Sequence, residues 1–575
     1  MEYRSPAAAS HEVDLYVRTY NSLLRSSGEV RVRAFEETHA FCRSVLHTGA
    51  LSLIPDVSAF AYAAARLPEE MPQVKLVILG QSHELFEAEG YQVQSWHSVR
   101  TRGRRRPLAY DGQSILVVFI ASASDIDDFV PIITAYQIEW NKMHGRLQGA
   151  TQLLDEESSH SPSLLNMLSQ RLGIDISEVE RLIEAFQPSV FLKQMRNLIK
   201  SPLDIRLRML AASYSQYQRA AQRWWSGVEP SFLQKASSRR APVYFVSSNT
   251  HGTANLVGGY ARAHKQELLQ FAKERDPEGL GVSVNAASQK GDETELAPFL
   301  YYLLRHYLAA HREENLVQEI RAFEKEGGLI HLAEPGHIEI DAQLINLSAV
   351  VPSRLDHRLL IPNIELLSQS DAVVVNIDYP LGMAAYHLLS RLGQGVGELR
   401  GVYIMGKAAT LNGRVGDVSL SDSVYDEHSH NTFFFKNALT TKEISPYLRY
   451  GSVFDNQAAL TVRSAFLQNQ EYTNHFYRQG YTVLEMEAGP FLSAIYELIH
   501  PTRVPGNKII HLSSQTPFDI GIVHYASDTP YSRRQSLLSK SLSFFGVDAT
   551  YACSIAIIKR IFQKEVERLS SKDKL

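Results

Sequence analysis

The sequence predicts an α/β protein: a small α/β domain over residues 1–150, a helical connector or interaction segment over 151–236, and a larger α/β domain over 237–575. Three observations predict it. Short runs of β-branched and aromatic residues alternate with stretches of helical periodicity. Several of those runs stop at polar or glycine-bearing residues, as strands do where a sheet opens onto a crevice. Polar breaks at residues 155–163 and 234–240 divide the chain into three parts.

Size and composition narrow the class before any motif does. A chain of 575 residues exceeds one ordinary core, and 44% hydrophobic and 21% charged residues with a formal charge of −4 describe a globular protein. That balance makes nucleic acid an unlikely partner. Cys42 and Cys553 are the only cysteines, so there is neither a disulfide framework nor a CxxC metal knuckle. The first residues lack an apolar leader core and no run approaches a membrane span, so the expected location is the cytoplasm, with no membrane partner.

From Val13 to about Leu67, Leu15, Val17, Tyr20, Leu23 and Leu24 recur at helical spacing. Val74–Leu79 and Ile115–Ile120 read as strands, the second followed by a helix through Tyr136, Trp140 and His144. Between them, Arg100–Arg106 is either an anion or nucleic-acid patch or a solvated basic loop. Residues 164–227 read as wholly helical, including Ile174–Phe186 and Leu203–Trp225, with Trp224-Trp225 marking core or interface.

Pro242–Val246 reads as a strand followed by Ser247-Ser-Asn-Thr-His-Gly252, a turn or an anion cradle, and a helix near Leu256–Lys273. A long helix is expected over Leu296–Lys325, then short strands at Leu329–Leu332 and His337–Ile340. Ala372–Ile377 is a strand, Leu381–Leu392 a helix entered through Pro380, and Arg400–Met405 a strand closed by Gly406-Lys407-Ala408-Ala409. Strand, helix and strand in that order predict a parallel crossover. Gly451–Asp455 is expected to lead into a helix ending at Phe466, and Tyr481–Glu487 into another. Strands at 509–513 and Gly521–Ala526 and a helix over 549–570 complete the chain.

Gly521–Ala526 delivers Ser527-Asp528 to its carboxyl end, as Tyr481–Leu484 delivers Glu485-Met486-Glu487. Alone, Glu-Met-Glu also reads as the acidic start of a helix, Ser-Asp as an N-cap or Asx turn, and Gly-Lys-Ala-Ala as a plain turn. Gly395-Val-Gly-Glu-Leu-Arg-Gly401 precedes a strand instead of following one, so it is no dinucleotide fingerprint.

Taken together, these segments resemble the purine nucleoside phosphorylase and nucleosidase superfamily, which includes methylthioadenosine nucleosidases and AMP nucleosidase. The resemblance rests on the strand, helix, strand and Gly-bearing turn of Ala372–Ala409, on Gly416-Asp417 about ten residues later, on Glu485-Met486-Glu487 and on Ser527-Asp528. It covers residues ~371–560 well, ~241–370 loosely and the first 240 residues not at all. It implies a phosphorylase/hydrolase-like three-layer α/β/α domain with a mixed sheet. It also implies cleavage of an N-glycosidic bond of a purine nucleoside or nucleotide by phosphorolysis or hydrolysis. In that reading Asp528, beside Ser527, protonates the leaving base. Met486 and Glu487 hold the ribose, and Gly406, Lys407 and Ala408 form the end for an anion or nucleophile. No cofactor is expected, with inorganic phosphate as a possible co-substrate.

The departures from the family pattern are specific. Lys407 stands where the family has Ser or Thr, Arg414, Arg449 and Arg463 compete for the phosphate-binding role, and Ser247–His251 offers no water-activating Glu. His428, His430 and Glu485 are candidates for the base or the 5′ end, the histidines across a subunit contact, which predicts a homo-oligomer of two or more copies. Two histidines without a Cys partner do not make a metal site. The alternative function is a catalytically inactive nucleotide-binding regulatory or assembly protein that keeps the same pocket.

Overall fold

The structure is a computed structural model that describes residues 6–572, apart from 104–105, 151–160, 211–212, 236–240, 277–278, 280–283, 285–286, 290–292, 312–313, 336–337, 339, 501, 513–515 and 529–543. The polar breaks at 155–160 and 236–240, residues Thr529–Ser532 and parts of His337–Ile340 therefore lie outside the described residues, as does the side chain of Asp528. Among the described residues no helix is long and apolar enough to cross a membrane.

The first sheet is built from β1 (Val30–Arg31), β2 (Leu76–Gly80), β3 (His97–Val99), β4 (Leu108–Tyr110), β5 (Ile115–Phe119) and β6 (Arg206–Met209). Their order is β1-β6-β2-β5-β4-β3, with β6, β2 and β5 parallel. Successive side chains of β2 and β5 enter opposite cores: Val77, Leu79, Leu116 and Val118 on one face, and Ile78, Val117 and Phe119 with Phe86 on the other. Helix Ala123–Leu147 starts with a capping box formed by Ser122 and Asp125 and lies buried along the first face.

The wholly helical reading of 164–227 is corrected by β6. The helices Pro162–Leu172, Ile176–Phe186 and Phe191–Lys200 pack into the first core, and β6 pairs with β2, so residues up to about 210 share that core and sheet. Helix Tyr214–Lys235 then crosses to the larger domain. There Trp224 and Trp225 are fully buried, which settles them as core residues; truncating either would cost about 3–5 kcal/mol.

The second sheet has eleven strands among the described residues: β7 (Pro242–Ser247), β8 (Leu329–Leu332), β9 (Ala342–Asn346), β10 (Val373–Ile377), β11 (Glu398–Thr410), β12 (Val418–Asp426), β13 (Asn431–Phe434), β14 (Val453–Thr461), β15 (Tyr481–Glu485), β16 (Ile509–His511) and β17 (Asp519–Asp528). β7 and β10 are buried along their whole length, which continuous apolar strands require when both faces are covered. One face packs on helices Thr250–Gly258, Glu293–Ala310 and Phe544–Lys572, the other on Tyr214–Lys235, Met383–Gly395 and Ala488–Ile499. The domain is thus the expected α/β/α layering around a mixed sheet. β10 and β11 both run parallel to β7, which lies between them.

Three details depart from the sequence expectation. Gly451–Phe466 does not enter a helix: Val453–Thr461 is β14, parallel to β12 and β15. The long helix at 296–325 is two helices, Glu293–Ala310 and Glu314–Glu326. Gly406–Ala409 is not a turn, because β11 continues through it to Thr410.

The domains share a junction. Val45 N–H donates to Gln468 O at 2.8 Å and Asn469 Nδ2 to Cys42 O at 2.9 Å, while Phe466 and Leu467 bury themselves in the N-terminal core.

Candidate functional site

Strands β11, β15, β14, β12 and β17 pair in succession, and β17 closes the ring by pairing with both β11 and β12. Within this ring the expected strand ends meet. Asp528 is level with Ala409, and Ala409 is level with Leu484, so the backbones of residues 528 and 484 stand about 10 Å apart, two interstrand spacings. The register slips between Ala408 and Ala409, where Ser527 is the extra residue of a bulge. Its hydroxyl reaches Ala408 O at 3.4 Å. Gly416-Asp417 sits against the same strand: Gly416 N–H donates to Ala526 O at 2.9 Å and Ala526 N–H to Asp417 O at 2.8 Å. Asp417 in turn accepts from Arg414 N and Ser452 N and fixes that turn.

The site opens where β11 changes neighbours. Its pairing with β7 ends at Ile404 and its pairing with β15 begins at Ala409, so among the described residues Met405–Ala408 have no strand beside them on that edge. This leaves a gap in the strand pairing, a slot between the end of β7 at Ser247 and the end of β15 at Glu485, with the backbone of Gly406, Lys407 and Ala408 along it. Lys407 is exposed and Gly406 and Ala408 are buried. A side chain at Gly406 would begin 3.0 Å from the His524 ring on β17.

Glu485 is buried at the end of β15. It accepts hydrogen bonds from the Thr461 hydroxyl, from Glu487 N at 2.6 Å and from Ala488 N at 2.7 Å, and so holds the start of the following helix. Burial keeps its carboxyl above the usual range against these bonds. Glu487 is half-buried and accepts Met486 N at 3.3 Å. Met486 packs beside Leu411, Leu460, Val462, Phe476 and Leu484.

Of the histidine and arginine candidates, Arg414 is exposed in the turn that Asp417 fixes. His428 has both ring nitrogens occupied within the chain, Nδ1 at 2.9 Å from Asp426 Oδ1 and Nε2 at 3.1 Å from Ser124 Oγ. These bonds place it at the junction of the two sheets' domains. His430 is exposed, with Nδ1 3.2 Å from the Tyr425 hydroxyl. Arg463 lies among Asp14, Asp127 and Glu427, and Arg449 binds Thr294 O through its guanidinium. In the Ser247–His251 turn, Ser248 bonds Asn376 at 2.7 Å and Asn249 caps its helix through Gly252 N. In the basic loop, Arg106 is buried between Asp125 and Asp128, and Arg102 holds the carbonyl end of Ile176–Phe186; Arg104 and Arg105 lie outside the described residues. No group of His, Cys, Asp and Glu suited to a metal ion occurs among the described residues.

His524 is a lone His inside the apolar run Gly521–Ala526, and that interruption is its one signal in the sequence. It is buried behind Gly406, 3.8 Å from Glu485, with neither ring nitrogen hydrogen-bonded among the described residues. Burial lowers its pKa to about 4, so the ring is neutral.

Fold and site together define a mixed-sheet α/β/α domain with a slot bounded by two strand ends, joined to a smaller α/β domain. The chain belongs to a family of unknown function, DUF6909, whose model matches residues 32–563. No curated protein matches the sequence. Among solved structures it is similar to the 5′-methylthioadenosine/S-adenosylhomocysteine nucleosidase of S. pneumoniae, at 10% identity and a TM-score of 0.28, covering 56% of this chain and 99% of that one. The same enzyme from Neisseria meningitidis gives 12% identity and a TM-score of 0.28 over 43% and 95%. Uridine phosphorylase from Vibrio fischeri gives 12% and 0.28 over 44% and 88%.

Proposed function

We propose that this protein cleaves the N-glycosidic bond of a purine nucleoside or nucleotide. The observation that supports it best is the slot beside Met405–Ala408, bordered by Glu485–Glu487 and level at one end with Ser527-Asp528. Cleavage passes through an oxocarbenium-like sugar, and the departing base must gain a proton. Asp528 donates that proton to the purine as the C1′–N bond breaks, and phosphate or water forms the new bond to C1′. A placed general acid contributes about 10²–10⁴-fold. Glu487 accepts two vicinal sugar hydroxyls, and its negative charge lies beside the developing cation. Lys407, exposed at the slot's floor, supplies a positive charge for a phosphate nucleophile.

A second reading has one observation in its favour. Lys407 stands where the resembled enzymes carry a hydroxyl, and a lysine there can hold an anion without releasing base. The protein would then be a nucleotide-binding regulator or assembly factor. Incubation with adenosine, inosine, guanosine and their 5′-monophosphates, with and without phosphate, separates the two. Free base that disappears in Asp528→Asn supports the enzyme; calorimetric binding with no release supports the regulator; neither binding nor release sinks both. A homo-oligomer and a cytoplasmic location belong to the same proposal, and light scattering tests the first.

A further inference from the structure

Glu487 is linked to the N-terminal domain by a continuous run of contacts. Ser124 lies in the first turn of Ala123–Leu147, just beyond the carboxyl end of β5. Its Oγ is 3.1 Å from His428 Nε2, and His428 Nδ1 is 2.9 Å from Asp426 Oδ1. A carboxylate only accepts, so in the neutral ring Nδ1 carries the proton and Nε2 accepts from the serine hydroxyl. The same Oγ accepts Met383 N–H at 2.9 Å, which ties Ser124 to the start of Met383–Gly395 as well.

Asp426 passes the constraint onward. It shares a rung with Thr461 and Glu485, and a Cβ on Gly489 would come within 2.5 Å of the aspartate's own Cβ, so that backbone rests on the Asp426 side chain. Gly489 N–H donates to Thr461 Oγ1 at 2.9 Å, the Thr461 hydroxyl bonds Glu485, and Glu485 accepts the N–H of Glu487 at 2.6 Å. Every link from Ser124 to the Glu487 backbone is a hydrogen bond or a close packing contact between buried or half-buried groups.

The Ser, His and Asp order has the outline of a hydrolytic triad, but the surroundings exclude that use. Ser124 is fully buried, its oxygen already accepts Met383 N–H, and Gly382 passes so close that a Cβ there would stand 2.3 Å from Oγ. An acyl group has no room at that oxygen.

We propose that Ser124 is a positioning residue of the candidate site. Acting through His428, Asp426, Thr461 and Glu485, it fixes the backbone that carries Glu487, so the N-terminal domain sets the sugar end of a slot that belongs to the C-terminal sheet. This rests on the role given to Glu487 above.

The test uses the full chain with Ser124→Ala, and with His428→Gln as a second variant should the first fail to fold. Hydrogen–deuterium exchange is followed in a peptide spanning 483–492, with β7 as internal reference, and adenosine affinity is measured by calorimetry beside KM. Expected are faster exchange at 485–489, unchanged exchange at β7, and affinity and KM weakened by about tenfold, the loss of roughly one charge-assisted hydrogen bond. Adding Glu487→Gln should worsen affinity little further, because both changes disable one unit. Unchanged exchange in both variants overturns the proposal, as does faster exchange with unaltered affinity. A wild-type chain that binds no nucleoside instead marks failure of the functional reading, and only variants compared against a binding wild type count against Ser124.

Discussion

The two sheets both end in polar residues at their carboxyl edges, yet they use them differently. In the six-stranded sheet the residues after β2 and β5 are absorbed by the protein itself: Ser82 caps a helix, Asp125 binds Arg106 and the N–H groups of Ala121 and Ser122, and Ser124 reaches across to His428 and Met383. Behind them His39, His47 and Glu139 form a buried chain of hydrogen bonds at 2.8 and 2.7 Å. In the eleven-stranded sheet, Lys407 is exposed and Ser527 and Glu487 are only half-buried beside a slot. Polar chemistry at strand ends therefore has two outlets in this fold. The first domain commits it to packing and to the junction, whereas the second bonds Glu485 and Asp426 internally and keeps Lys407 exposed.

Perturbing either side sharpens that contrast. The largest expected effect is on Asp528→Asn, which should lower base release by about 10²–10⁴-fold with the fold intact, measured by chromatography of free base and by far-UV circular dichroism. Loss of folding instead would make residue 528 structural and erase the difference between the sheets. Next is Phe466→Ala at the junction, expected to destabilise the chain by about 3–4 kcal/mol because a fully buried ring leaves a cavity between domains. Denaturant unfolding reads it, and an unshifted midpoint would mean the junction holds nothing together.

Glu487→Gln comes third, with kcat/KM for the nucleoside falling by about ten- to a hundredfold, as loss of charged hydrogen bonds to sugar hydroxyls requires. Steady-state kinetics decide it; an unchanged ratio removes Glu487 from the sugar. The smallest effect concerns Glu427, whose carboxyl burial raises from 4.5 to about 7. A raised carboxyl favours the fold when protonated, so its contribution is complete below about 4.5 and is lost as pH climbs through 7. Glu427→Gln should therefore leave melting near pH 5 unchanged and raise stability near pH 8 by on the order of 2 kcal/mol. Equal shifts at both pH values would show that ionisation of this junction residue is not what opposes the fold.

What was legible in the sequence follows from how local each cause is. β7, β10 and β17 announce themselves because strands covered on both faces are unbroken apolar runs. β14 did not: Val-Phe-Asp-Asn-Gln-Ala-Ala-Leu-Thr has few good strand formers, and pairing with β12 and β15 on both sides makes it a strand. β6 is four residues between helices, with Arg206 and Arg208 alternating outward, and only its place beside β2 reveals it. For the site, the residue types of Glu487 and Asp528 were readable, as was the Gly406–Ala408 floor. The slot was not, because it arises where β11 exchanges one neighbour for another. Nor was the Ser124–His428 contact, formed by residues 304 positions apart.

The central claim is that one sugar and its base fit between Glu487 and Asp528 over the Gly406–Ala408 floor. A crystal structure of the full chain soaked with adenosine and phosphate tests it most directly. Expected are ribose hydroxyls within hydrogen-bond distance of the Glu487 carboxylate, the purine N7 facing Asp528 and phosphate beside Lys407. A nucleoside bound in any other cavity, or carboxylates of 487 and 528 turned to separate openings, would contradict it.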